Sequence, residues 1–233
     1  MSQSDIHKKN AASRAVEFIK DGMTVGLGSG STAHLAVQMI AQKVDDGLNI
    51  QAVSSSKETT QLAEERGIKI SDYQIIDHLD VNIDGADEVD NHYNLIKGGG
   101  GALLREKINA RFAHTNVIVV DPTKMVQQLG HFPLPVEVNP FGHQQLKRFI
   151  EQQYGINAFI RSRGDEYFIT DNGNYIIDCN FTIIDNPQQL ENELLGIPGL
   201  IETGLFINLT HILVIGQEAD ATVIDLRSKV KPS

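Results

Sequence analysis

From residue 23 to residue 121 the chain alternates short runs rich in β-branched residues with longer amphipathic ones. No other feature restricts the fold as much. Residues 23–28, 50–54, 69–70, 80–84 and 116–121 read as strands. Residues 31–44, 57–66 and 102–113 read as helices, and residues 4–20 as a helix feeding the first strand. Strands separated by helices pair in parallel, because a parallel pair needs a long crossover, and the helices then cover both faces. The first part is therefore an α/β, Rossmann-like parallel-sheet domain. The pattern changes near Gly130, where HFPLPVEVNPFG carries three of the seven prolines. Beyond it come a strand at 136–138, a helix at 143–153, strands at 158–161 and 167–170, and an Asp171-Asn172-Gly173 turn into a strand at 175–180. A helix at 187–195 and a strand at 200–206 follow. That order is β-α-β-β-α-β, a smaller ferredoxin-like α+β unit. Strands at 211–216 and 221–225 return to the first sheet. The expected division is residues 1–130 and 207–233 for the Rossmann-like domain, with residues 131–206 inserted.

Thirty acidic residues against twenty basic ones give a formal net charge of −10. With few aromatics and no long basic run, that balance argues against general nucleic-acid or anionic-membrane binding. The apolar runs at 117–120 and 212–215 are far too short to span a bilayer. The opening MSQSDIHKKN lacks the apolar core of a signal peptide, and a lone cysteine, Cys179, allows no intrachain disulfide. These features describe a cytoplasmic protein.

The first strand runs into GLGSGST, residues 26–32, and then a helix. A glycine-rich turn there aims backbone N–H groups from a positive helix end at an anion, and Ser29, Ser31 and Thr32 add hydroxyls. No Gly-Lys-[Ser/Thr] follows, so this is not a Walker loop. A dinucleotide fingerprint would want glycine where Ser31 stands, and an acidic residue about twenty positions on, which is missing. The second strand ends instead in Ser54-Ser55-Ser56, a row of hydroxyls suited to a sugar or phosphate. The competing reading is a tight turn in which Ser31 or Thr32 caps the helix.

VNIDGADEVD gathers Asp84, Asp87, Glu88 and Asp90 within seven residues. Asp84 ends a strand, and ligands in open α/β sheets lie outside the carboxyl ends of strands. A solvated turn, a metal site and proton chemistry compete for these acids. The spacing is not an EF-hand loop, and no paired cysteines or His-x-x-x-His lie nearby. A magnesium ion between Asp84 and Asp87 stays open. Lys97 then starts a run of four glycines. Such a run is costly to order and lets backbone approach a ligand, with N–H groups facing developing negative charge. In the helix that follows, Leu104, Ile108 and Phe112 make the expected buried stripe. Glu106 then falls nearly opposite. It is either an exposed glutamate or a catalytic one, and the residues three and four away include no basic partner.

GLGSGST, AVSSSKETT, VNIDGADEVD, LIKGGGGALLREK, VVDPTK and HFPLPVEV, in this order and spacing, closely resemble ribose-5-phosphate isomerase of the A type. TDNGNYIIDC and GIPGLIETGLF extend the likeness through the small unit. The resemblance implies interconversion of D-ribose 5-phosphate and D-ribulose 5-phosphate, in the pentose phosphate pathway, with no metal or organic cofactor. It places the proton-abstracting base at Glu106. It implies substrate contacts from Ser29, Gly30, Ser31 and Thr32, from Asp84, Gly85, Ala86 and Asp87, and from Lys97, Gly98, Gly99 and Gly100. Lys124 and the N-terminal Lys8 complete the set. Serine at 29 departs from the family's common threonine but keeps the hydroxyl. The family also suggests a homodimer or higher homo-oligomer.

Aldose–ketose isomerisation needs a base for the carbon-bound proton, an acid/base for the oxygens, and positive charge or N–H donors for an enediolate. Glu106, the pair Asp84 and Asp87, and Lys97 with the glycine N–H groups suit those tasks in turn. The division of labour between the two aspartates stays open. The alternatives are a non-catalytic sugar-phosphate sensor, a sugar-phosphate deaminase of similar architecture, and a metal-assisted hydrolase using the aspartates.

Overall fold

A computed structural model describes residues 2–228. The chain opens with α1 (Gln3–Val16), β1 (Thr24–Leu27), α2 (Ser31–Asp45), β2 (Gln51–Ser54), α3 (Lys57–Glu65) and β3 (Leu79–Gly85). Next come β4 (Glu88–Val89), β5 (Leu95–Ile96), α4 (Leu103–Phe112) and β6 (Ala113–Val120). Then follow β7 (Leu134–Val138), α5 (His143–Tyr154), β8 (Asn157–Ile160), β9 (Ser162–Arg163), β10 (Glu166–Tyr167) and β11 (Tyr175–Asn180). The last elements are α6 (Pro187–Leu195), β12 (Leu200–Thr203), β13 (Leu205–Phe206), β14 (Ile212–Gly216) and β15 (Ala221–Asp225).

The chain forms two compact units. Among the described residues the first holds 2–86, 105–125 and 208–228, and the second holds 87–104 and 126–207. In the first unit six strands line up as β15-β14-β6-β3-β1-β2, parallel except for β15. Val25, Leu27, Val81, Ile83, Val117, Val119, Ile212 and Val214 pack in one cluster with Ala11, Ala12 and Ala15 of α1 and Ala36, Val37 and Ile40 of α2. Each large aliphatic side chain removed from water there is worth about 1.5–3 kcal/mol. Gly216 at the end of β14 lets α1 lie close: a Cβ there would come 1.8 Å from the His7 carbonyl oxygen. The expected parallel sheet and the return of 211–216 and 221–225 to it are both present. The expected strand at 69–70 is reduced to one parallel bridge, Ala52 to Ile70.

The second unit contains a four-stranded antiparallel sheet, β12-β7-β11-β8. Counted along the unit this is fourth-first-third-second, with α5 and α6 as the crossovers, which is the ferredoxin-like order expected. Val136, Val138, Ile177 and Cys179 form its core with Leu146 and Ile150 of α5 and Leu190 and Leu194 of α6. The expected strand at 167–170 is instead the short hairpin β9–β10. The expected strand at 200–206 divides at Gly204, where a Cβ would come 2.4 Å from the Lys97 carbonyl oxygen; β13 thereby leaves for a separate sheet, β13-β5-β4. That small sheet is why residues 87–104 and 126–130 group with the second unit and not, as expected, with the first. Backbone bonds from Asp87 to Ile96, Val126 to Val89 and Lys97 to Gly204 tie them there.

Candidate active site

Within the first unit the expected residues collect at the carboxyl edge of the sheet. β1 ends in the loop to α2, and Gly28 there lies against β3: a Cβ would come 2.2 Å from Asp84 Oδ1. The Ser29 N–H donates to Asp84 Oδ1 at 3.1 Å, and the Gly85 N–H to the same oxygen at 2.8 Å. Asp84 is 1% exposed. Its carboxylate thus holds the glycine loop against the end of its own strand, just ahead of Ala86. Gly30 is the N-cap of α2 with φ of 88° and gives the helix no side-chain cap. The capping role weighed above for Ser31 and Thr32 is not what they do. They are the first two residues of α2, at an end whose N–H groups and positive dipole face outward, as anion binding requires.

The serine row after β2 works differently from the expectation of ligand-facing hydroxyls. Ser29 Oγ lies 2.7 Å from Ser55 Oγ and 3.0 Å from Ser56 Oγ. Ser56 also N-caps α3 through the Thr59 N–H, and the Thr59 hydroxyl donates to the Gly28 carbonyl at 3.1 Å. These buried hydroxyls fix the loop's shape, and Ser29 belongs to that scaffold. Two lysines come to the same edge. Lys124 ends the 3-10 turn Pro122–Lys124 after β6, where the Asp121 carboxylate accepts the Thr123 N–H. Lys8 lies in α1 beside His7, whose carbonyl abuts the end of β14.

Glu106 corrects the sequence reading of α4. The buried positions are Leu103, Glu106, Asn109 and Ala110, while Ile108 and Phe112 are 37% and 57% exposed. The expected stripe of Leu104, Ile108 and Phe112 is not the inner face; Glu106, 3% exposed, lies on it. A helix joining parallel strands runs antiparallel to them. The first turn of α4, with Glu106, therefore points toward the carboxyl edge.

In the second unit the glycine run is shaped at almost every position. Gly98 and Gly101 have φ of 102° and 86°. A Cβ on Gly98 would meet Leu103 at 2.9 Å and one on Gly101 would meet Phe168 at 2.4 Å. The Gly99 N–H donates to Asp87 Oδ2 at 2.8 Å. Gly100 alone has open space around its Cα. Lys97 is 3% exposed, with its ammonium 5.4 Å from the Phe206 ring centre. Sequence reasoning missed Arg161. It grips Asp178 with Nε at 2.9 Å and Nη2 at 2.5 Å, and Nη1 donates to the carbonyls of Gly98 and Gly99 at 2.8 and 3.1 Å. By holding the carbonyls it sets which way the peptides turn. No spacing rule links a β8–β9 arginine to a loop some sixty residues earlier.

The remaining acids of the cluster serve structure. Glu88 accepts the N–H groups of Gly130 at 2.7 Å and Phe132 at 2.6 Å. Asp90 closes its own turn through the N–H groups of His92 and Asn94, both at 2.8 Å.

A family model described as ribose 5-phosphate isomerase A (phosphoriboisomerase A) matches residues 51–220. The chain belongs to that family. Among curated members it is 45% identical to ribose-5-phosphate isomerase A 1 of Oceanobacillus iheyensis, across 94% of this chain and 97% of that one. It is 48% identical to the ribose-5-phosphate isomerase A of Bacillus mycoides, across 90% and 95%. A solved D-ribose-5-phosphate isomerase in complex with phospho-erythronic acid superposes with a TM-score of 0.91 at 37% identity, covering 97% of this chain and all of that one. The family's enzyme from Methanocaldococcus jannaschii gives 0.90 at 36% identity, covering 96% and 100%.

Proposed function

We propose that this enzyme interconverts D-ribose 5-phosphate and D-ribulose 5-phosphate through an enediolate. The observation that carries the reading is Glu106: a carboxylate buried in the first turn of α4, directly after the glycine run, in a chain of this family. The open-chain aldose has an aldehyde at C1 and a C–H at C2. Glu106 takes the C2 proton, the electron pair forms the C1–C2 double bond, and the aldehyde oxygen becomes an oxyanion. One proton moves from the C2 hydroxyl to O1, and Glu106 returns its proton to C1, leaving the ketone at C2. Lys97 and the N–H groups of Gly98 and Gly100 stabilise the enediolate; the Gly99 N–H is committed to Asp87. Asp84 and Asp87 move the oxygen protons and open the ring. The phosphate takes the α2 N-terminus at Gly30, Ser31 and Thr32, with Lys8 and Lys124, while Gly85 and Ala86 present backbone to the sugar. Phospho-erythronic acid, bound in the related structure, supports this: its carboxylate is planar and anionic with two oxygens, as an enediolate is.

The family match does not favour a sensor or a deaminase. We also place the enzyme in the cytoplasm as a homo-oligomer; among the described residues no helix is long and apolar enough to cross a membrane. The test is formation of ribulose 5-phosphate from ribose 5-phosphate in EDTA. Full turnover is expected. Activity that vanishes with chelation and returns with Mg²⁺ would replace this mechanism with metal-assisted chemistry.

A further inference from the structure

Outside the residues given a catalytic or binding task, three metal-ligating side chains converge on the first unit. The register Leu79 to Ala113 pairs the starts of β3 and β6, and His78, Asp80 and His114 each lie within one residue of that pair. One ligand atom from each comes within 4.8 Å of the others. The two imidazole rings stack at 4.4 Å between centres and 24° between planes. His78 Nε2 is 3.5 Å from Asp80 Oδ1. The other Asp80 oxygen accepts the Thr24 N–H at 2.8 Å, which fixes the carboxylate in place. Both histidines are exposed, so an ion reaches them from solvent.

We propose that His78, Asp80 and His114 bind a divalent transition-metal ion, Zn²⁺ above all, at the amino edge of the six-stranded sheet. Two imidazoles and a carboxylate are a donor set for zinc, with water as the fourth ligand. Ligand atoms around tetrahedral zinc lie about 3.3–3.5 Å apart, given bonds of about 2.0–2.2 Å. The side chains must therefore close by roughly 1 Å, which rotations of the exposed rings supply. Asp77 and the net charge of −10 favour a cation there. Arg227, which lines a small cavity beside Asp80, is ion-paired with Asp225. The edge is opposite to the one that carries Asp84 and the glycine loop. The ion clamps the starts of two neighbouring strands and takes no part in the isomerisation.

The experiment uses untagged, full-length protein stripped with EDTA and dialysed, titrated with Zn²⁺ by calorimetry and with Co²⁺ by absorption. The double variant His78→Ala/His114→Ala is titrated in parallel. Wild type is expected to bind one equivalent, to give the visible bands of tetrahedral Co²⁺, and to gain in Tm with Zn²⁺. The variant should bind about tenfold or more weakly and convert ribose 5-phosphate at the wild-type rate, which also shows that it folds. Absence of binding in wild type, or equal affinity in the variant, would overturn the site. Loss of turnover in a folded variant would overturn its separation from catalysis.

Discussion

Asp84 and Glu88 lie four residues apart and are both buried, yet their surroundings give them different work. Glu88 braces two backbone N–H groups, Gly130 and Phe132. Replacing it with alanine strands both donors, at about 1–3 kcal/mol each. Chemical denaturation of Glu88→Ala should show a total loss of about 2–6 kcal/mol for the two donors, with the KM for ribose 5-phosphate unchanged wherever the protein is folded. The sequence placed these acids together but could not divide them, because what separates them is distant backbone: Glu88 meets N–H groups some forty residues later and Asp84 one 55 residues earlier. The glycines separate in the same manner. Gly28→Ala drives a methyl into Asp84, and overpacking of a tight site costs about 1–3 kcal/mol; both Tm and turnover should fall. Gly100→Ala meets open space at an ordinary backbone angle. Its Tm should stay near wild type while turnover drops if the glycine run meets the sugar as proposed. Equal turnover in Gly100→Ala would remove the glycine run from the substrate.

Elements were legible where their apolar period was long. The parallel strands, α2, α3 and α6 fall within a few residues of the expected bounds, and the ferredoxin-like order follows from them. The two-residue strands β4 and β5 carry too few residues for any period, and α4 misled for a physical reason. Its inner face accepts a carboxylate and an amide, Glu106 and Asn109, while Phe112 is left 57% exposed; hydrophobicity alone selects the wrong stripe. β14 and β6 offer a test by pH. His211, just before β14, accepts the Asn116 N–H on Nδ1 at 2.8 Å, and burial, with Arg227 second, pushes its pKa below the ordinary 6.5. The unfolded chain therefore protonates this histidine more readily than the folded one. The contribution to stability is complete above about pH 6.5, begins to fall there, and is lost as the pH falls on through the lowered pKa of the folded state. Urea midpoints between about pH 7.5 and 5.5 should decline, and less so in His211→Asn. An identical slope in the variant would show that His211 is not the group.

At the scale of the whole molecule, the sequence carried the two-unit organisation and the family. It misassigned residues 87–104, whose membership is set by β5, which pairs with β4 on one side and with β13 from the far end of the second unit on the other. The expected homo-oligomer is checked by light scattering, where a mass near 25.7 kDa at all concentrations would refute it. In the proposed mechanism Glu106 carries the proton between C2 and C1. Its most direct test is ¹H NMR of ribose 5-phosphate in D₂O with EDTA, for wild type and Glu106→Gln. Wild type should form ribulose 5-phosphate and introduce solvent deuterium at the exchanging carbon. The variant, while still binding the sugar phosphate, should lose both by about 10²–10⁴-fold. A folded Glu106→Gln protein that isomerises and exchanges at the wild-type rate would rule out Glu106 as the base and move that role to another carboxylate.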